Sequence, residues 1–414
     1  MDEEPPPPSR SGLRNISDVL RHRNYRLLWS GTLISNTGDW MDQVALNWLV
    51  LETTGSAFYL GLVNLCRAIP ILALTLIGGV AADRFERRRL MMASQASGMV
   101  LAIVLAVLVA LGQTQIWMIL VIACGRGAMV AFNQPARHSL VSEVVPMRIL
   151  PSAVALSSMT FNLTKIIGPL LAGVIIATWG TAACFAVNAL SFVPVLSTLA
   201  LMQFPPREAR ARGEPVLDSL WVGFAYLLAN PLMLLLVLVA FIPVFFGGPY
   251  LQLLAVFAVE VFHGGPAEVG VLTSFAALGA MCGGLVLATT PAAARSGLVM
   301  LLVMLAYGAV ICVFAVTDSF VWAAGLLMLV GAGQIACNAI NNILLQTIVP
   351  DAVRGRVLSI LLLTKGLVQL GTFAVASLAA IIGVQLAMLL SGSVVIAAAV
   401  TLLALAPAMR GLRT

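Results

Sequence analysis

Gly79-Val80-Ala81-Ala82-Asp83-Arg84-Phe85-Glu86-Arg87-Arg88 is the stretch on which the reading of this chain turns. It places two acids and three arginines in a short gap between two long apolar runs. A soluble domain seldom sets so tight a charged knot between stretches of that length; a loop joining two membrane helices does.

The surrounding composition agrees. Of 414 residues, 60% are hydrophobic and 10% charged, and the mean hydropathy is +1.02, which places the chain among integral membrane proteins. A bilayer core about 30 Å thick takes roughly 20 apolar residues per helix, and lipid leaves open strands without partners. About 12 helical spans are predicted on that criterion, over 27–51, 58–82, 90–112, 115–136, 151–178, 181–203, 231–258, 267–289, 297–317, 320–346, 356–382 and 384–408.

Cys66, Cys124, Cys184, Cys282, Cys312 and Cys337 all lie in apolar runs without paired spacing, so they are expected as small buried residues. Neither a metal site nor a cofactor is expected. The net charge of +6 is scattered over short loops instead of forming a stripe, which argues against nucleic acid and for membrane topology.

With the N-terminus in the cytoplasm, the inner segments hold Arg10 to Arg26, Arg84 to Arg89, Arg137, Arg148, Arg207 to Arg212, Arg295, Arg354, Arg356, Arg410 and Arg413. The outer loops hold no Lys or Arg. That bias predicts both termini inside. The expected organisation is a cytoplasmic tail over 1–24, started by an acidic, proline-rich segment; a six-helix bundle over 25–203; a linker with a surface helix over 204–230; a second bundle over 231–408; and a tail over 409–414. No signal peptide is expected before the first span.

The chain has two lysines, and each ends Leu-Thr-Lys, at Lys165 and Lys365, about half a chain apart. Pro146 and Pro350, and Gly79 and Gly284, stand at similar offsets. One register serves all three matches, implying two six-span halves related by an axis along the membrane normal.

Gly79 to Arg88 resembles the loop motif between spans 2 and 3 of major facilitator superfamily transporters. Val44-Ala45, Trp48-Leu49-Val50, Thr54-Gly55-Ser56, Pro135-Ala136-Arg137, Gly168-Pro169 and Arg354-Gly355-Arg356 are similar to the superfamily's bacterial exporters of siderophore and macrolide type. The resemblance implies an all-α integral membrane fold of 12 transmembrane helices in two pseudo-symmetric bundles. It also implies export of an amphipathic small molecule by a proton antiporter in the bacterial inner membrane. In the second half Ala288 replaces the motif aspartate, and Thr164 and Ala155 replace glycines of the span 5 antiporter motif.

Asp39 and Asp42 fall near the middle of span 1, where an ionised carboxylate costs about 2.5–3.5 kcal/mol on insertion scales. An apolar setting favours the protonated carboxyl and a nearby cation the ionised one, so either could exchange a proton with the solution. The alternative is a permanent ion pair. Arg67, Arg126, Lys165 and Lys365 lie at similar depth as charge partners or substrate-binding groups, or as cations that snorkel. Asn36, Gln43 and Asn47 share a face with Asp39, and Gln334, Asn338, Asn341 and Asn342 form an amide stripe on span 10. These faces line an aqueous cavity or bond helix to helix. Gly79, Asp83, Arg84, Arg87 and Arg88 would form a cytoplasmic gate, Asp83 against the positive end of span 11 as the resemblance implies.

No Gly-x4-Gly-Lys loop occurs, so a gradient must supply the energy. A monomer in the bilayer, moving a small molecule against protons, is the expectation. Lipid or lysolipid translocation and a non-transporting assembly factor or sensor are the alternatives; no enzyme chemistry stands out.

Overall fold

Lipid offers the backbone no hydrogen bonds, and the chain answers with helices throughout. The computed structural model describes residues 18–202, 229–290, 296–349 and 351–412, with no β-strand among them. The helices are α1 (Arg23–Thr54), α2 (Ala57–Arg84), α3 (Arg87–Ala110), α4 (Ile116–Val144), α5 (Leu150–Leu201), α6 (Pro231–Ile242), α7 (Tyr250–Glu260), α8 (Pro266–Thr289), α9 (Gly297–Ala315), α10 (Phe320–Ile348), α11 (Asp351–Ile382) and α12 (Val384–Leu405).

Among the described residues, nine stretches are long and apolar enough to cross a bilayer. One of them, Met147–Leu201, holds two crossings, because α5 breaks at Gly180, where φ is 83° and only glycine sits without strain. Another, Leu232–Glu260, joins α6 and α7 through a π-helical turn at Pro243–Gly247. The charged α1 and the α11 segment with its apolar part at Gly366–Ile382 complete the twelve spans. The fold predicted from the sequence is thus the observed one. Of the remaining expectations, the start of the chain and nearly all of the linker lie outside the described residues, as do the side chains of Asp83, Arg84 and Lys365.

Short connections make successive helices antiparallel, so the loops fall at two ends of the bundle. One end carries the arginines around Arg87 and Arg148; the other, with the connections at Gly55, Gly112, Gly180, His263 and Gly383, carries none. At that arginine-free end Gly55 closes α1 with φ 60°, its N–H donating to the Leu51 carbonyl at 2.8 Å. Trp179 and Trp322 project outward there, as aromatic residues do at a membrane interface.

In the first half α1 lies along α5, α2 along α4, and α3 across α4 and α5; in the second, α8 pairs with α10 and α9 with α12. The halves meet through α5 against α8 and α2 against α11, two contacts that exchange under the internal repeat. Small residues bring them close: a side chain at Gly173 would set its Cβ 2.8 Å from the Pro266 carbonyl oxygen, and one at Gly61 would meet Ala376 at 2.8 Å. Ser274 of α8 adds a hydrogen bond to the Ile166 carbonyl at 2.7 Å. Only Cys184 and Cys337 of the six free thiols are buried, and Cys282 is exposed, unlike the expectation, because its side of α8 turns away from the bundle.

Candidate functional site

The charges of the apolar runs converge in the first half. A cavity of about 130 Å³ is lined by α1, α2, α3, α4 and both arms of α5, and it holds Asp39, Asp42, Arg67, Arg126 and Arg137. Within it the two acids differ. Asp42 is ion-paired through Oδ2 with Arg126 Nη1, their side chains 9% and 7% exposed. Its Oδ1 accepts a hydrogen bond from Asn188 Nδ2 at 3.0 Å, so the carboxylate is held by α4 and α5 together. Asp39 lies almost one turn earlier on α1, half-buried, with Arg67, Arg137 and Arg126 as its electrostatic neighbours.

Arg126 is itself only partly satisfied. Nη1 meets Asp42, its guanidinium carbon stands 5.7 Å from the Phe185 ring centroid, and Nε and Nη2 are buried without a hydrogen-bond partner. Arg137 donates from Nη1 to Asn36 Oδ1 at 2.8 Å and from Nη2 to Gln134 Oε1 at 3.3 Å, and it lies over Phe161. Lys165 Nζ sits 5.1 Å from the Trp40 ring centroid and 5.4 Å from that of Phe161.

The predicted amide face of α1 divides. Asn36 and Gln43 line the cavity, while Asn47 turns to the other half. There Gln252 Oε1 of α7 accepts from Asn47 Nδ2 at 2.8 Å and from Gln43 Nε2 at 3.1 Å, and Asn64 of α2 donates to Asn47 Oδ1 at 3.3 Å. A second, smaller pocket lies against this junction, lined by Trp40, Gln43, Asn47, Gln252 and Thr273. The α10 amides stand away from the main cavity, because α10 packs with α8 and α9 inside its own half. Gln334 accepts from Tyr250 at 3.4 Å, Asn341 is buried, and Asn338 and Asn342 are exposed, Asn342 accepting from Gln346 at 3.0 Å.

At the arginine-rich end, Arg87 is 5% exposed and pairs with Glu143 at 2.7 Å, also donating to the Ser139 carbonyl at 3.0 Å. Arg88 donates to the Ala200 carbonyl at 2.8 Å. Both bind α3 to α4 and α5 within the first half, so these contacts of the expected gate do not cross between halves. Gly79 has open space where a Cβ would stand.

Sequence reasoning missed Arg137, Asn188 and Gln252. The 20-residue criterion ends span 4 at Ala136 and puts Arg137 in a loop, whereas α4 continues through Pro135 to Val144 and carries Arg137 into the cavity. A signal existed: Arg126, Asn133 and Arg137 fall at i, i+7 and i+11, one face of a helix. Asn188 and Gln252 are lone amides in apolar runs, with no pattern to mark them.

Over residues 17–411 the chain matches the family described as transmembrane secretion effector. The staphyloferrin A transporter of Staphylococcus aureus is 28% identical over 366 residues, 87% of this chain and 90% of that protein. An enterobactin exporter of Shigella flexneri is 27% identical over 84% of this chain and 83% of its own length. Macrolide efflux protein A of Streptococcus pyogenes is 25% identical over 64% and 67%. Among solved structures, a bacterial homologue of the human lysosomal transporter Spinster superposes with a TM-score of 0.73 at 16% identity, over 92% of this chain and 96% of that one. A variant of the peptide transporter POT gives 0.76 at 13% identity, over 98% and 100%.

Proposed function

The chain belongs to the transmembrane secretion effector family of major facilitator transporters, and on that premise we propose that it exports an amphipathic small molecule from the bacterial cytoplasm as a proton antiporter, by alternating access. It is a multi-pass membrane transporter and not an enzyme. Relatives named for staphyloferrin A, enterobactin and macrolide support export as the direction and a small molecule as the cargo.

The observation that carries the coupling is the difference between the two acids. Asp42 is spoken for by Arg126 and Asn188 and serves as the lock between α1, α4 and α5. Asp39 faces the cavity beside Arg67 and Arg137, where a carboxyl that meets water from alternate sides exchanges its proton with each in turn. Arg67 and Arg137 set its charge and meet polar groups of the cargo.

In the inner membrane, with the arginine-rich end in the cytoplasm, the contacts of α5 with α8 and of α1 with α7 close the outer end. The arrangement corresponds to the state that loads from inside; the halves then rock about the midplane. A single chain holds every element of this cycle, so the transporter works as a monomer in the bilayer. Untargeted comparison of the metabolites retained by cells with and without the gene tests the export: a compound that accumulates on deletion and is expelled on restoration is expected, and identical metabolite pools would refute it.

A further inference from the structure

Trp40 is the one large side chain that lines both the main cavity and the small pocket at the junction of the halves, with Gln43 beside it. The ring stands between the main cavity and the small pocket, whose α1 residues Val44 and Asn47 lie farther along the helix toward the arginine-free end. The ring's seat comes from α5. Phe161 meets Trp40 edge-on with centroids 6.1 Å apart, and Lys165 Nζ lies over both rings. A cation over an aromatic face is attracted by the negative face of the ring, which helps to hold the ring in one orientation.

Behind the ring, Gly168 supplies the room. A Cβ there would stand 2.6 Å from Trp40 Cβ and 2.9 Å from the Thr37 carbonyl oxygen, so the close seat requires glycine. Pro169 follows, and a proline inside a helix withdraws the hydrogen bond to the carbonyl four residues earlier, here that of Lys165. The helix is thus loosened at the residue that holds the ring.

The same few residues of α5 make the contact with the other half. Ile166 accepts from Ser274, Gly270 packs against the Pro169 carbonyl, and Gly173 against Pro266 and Ala267. One short segment therefore grips Trp40 on one face and α8 on the other. Separation of α5 from α8 must disturb it, and with it the seat of the ring.

We propose that Trp40 is the shutter of the transport path, held closed by Lys165 and Phe161 and released when α8 leaves the Ile166–Gly173 segment. It is a positioning residue for translocation, and it ties the opening of the exit to the separation of the halves. The proposal rests on the export reading for its direction but not for its test.

The test uses the full chain in inside-out vesicles, with its native cysteines replaced and one cysteine introduced by Thr273→Cys in the small pocket. Labelling by the anionic, impermeant sulfonatoethyl methanethiosulfonate reports whether the cavity reaches that pocket. With Trp40 present, labelling is expected to be slow. Trp40→Ala is expected to accelerate it about tenfold, Lys165→Gln about threefold, and Trp40→Phe to keep most of the protection, the Lys165 effect being that of a partly exposed cation–π contact. Trp40→Phe separates a shutter from general loosening, since both substitutions disturb packing and only one keeps a ring. Unchanged labelling in Trp40→Ala, or equal acceleration by Phe and Ala, would overturn the proposal. Labelling needs no cargo, so a failure of the export reading leaves this result interpretable by itself.

Discussion

Arg126 of α4 holds Asp42 of α1 in a buried ion pair, and Asn188 closes the other side of the same carboxylate. Asp39, on the same helix, lines the same cavity half-buried, with Arg67, Arg137 and Arg126 as its electrostatic neighbours. Removing one partner of a buried pair strands the other charge, at a cost of about 3–5 kcal/mol. Asp42→Asn is therefore expected to lower the thermal stability of the detergent-solubilised protein strongly. Asp39→Asn is expected to cost less, since Arg67 and Arg137, which lose their acidic neighbour, line the cavity where water hydrates them. Thermal unfolding followed side by side checks this, and equal losses in the two variants would contradict the assignment of lock and coupling group.

Gln252 joins the halves by accepting from both Gln43 and Asn47. Each such bond contributes about 0.5–1.5 kcal/mol, so Gln252→Leu should shift the balance toward opening at the arginine-free end by roughly fivefold or more. A cysteine at Ala255, buried at the same junction, is expected to react correspondingly faster with an impermeant thiol reagent supplied from outside the cell.

Gly173→Val tests the opposite bias. Its side chain would collide with the backbone at Pro266 and Ala267, which cannot yield as a flexible side chain does. The variant is expected to fold, to hold the halves apart at the arginine-free end, and to lose most of its export. Crosslinking between cysteines placed at Ile166 and Ser274, efficient in the parent, should fall several-fold.

The fold was legible in the sequence because the bilayer imposes a length and a polarity on every span, and the lysine repeat gave the two halves. Much of the site was legible for the same reason: Asp39, Asp42, Arg67 and Arg126 are charges inside apolar runs, which membranes tolerate only with partners. What stayed hidden depended on how helices end and where they turn. Arg137 lay beyond a proline that looks like a stop and is only an interior residue of α4. Periodicity grouped Asn47 with Asp39 and could not say that Asn47 crosses to α7. Nor could it distinguish Asp42 from Asp39, since the difference lies in Asn188, a lone amide more than a hundred residues away.

The proposed orientation rests on the arginines alone and is testable alone. Fusion of a fluorescent protein or a phosphatase to the C-terminus should give fluorescence and no phosphatase activity, as a cytoplasmic terminus requires. The reverse pattern would turn the cycle inside out, with the closed end of the bundle in the cytoplasm.

The most direct test is made with the compound that cells lacking the protein retain, loaded into proteoliposomes carrying the purified chain. Its flux is measured with and without an imposed pH gradient. The expected result is gradient-driven flux in the parent and, in Asp39→Asn, flux that no longer responds to the gradient although the protein remains folded. Full gradient-driven flux in Asp39→Asn would contradict the assignment of the coupling carboxyl.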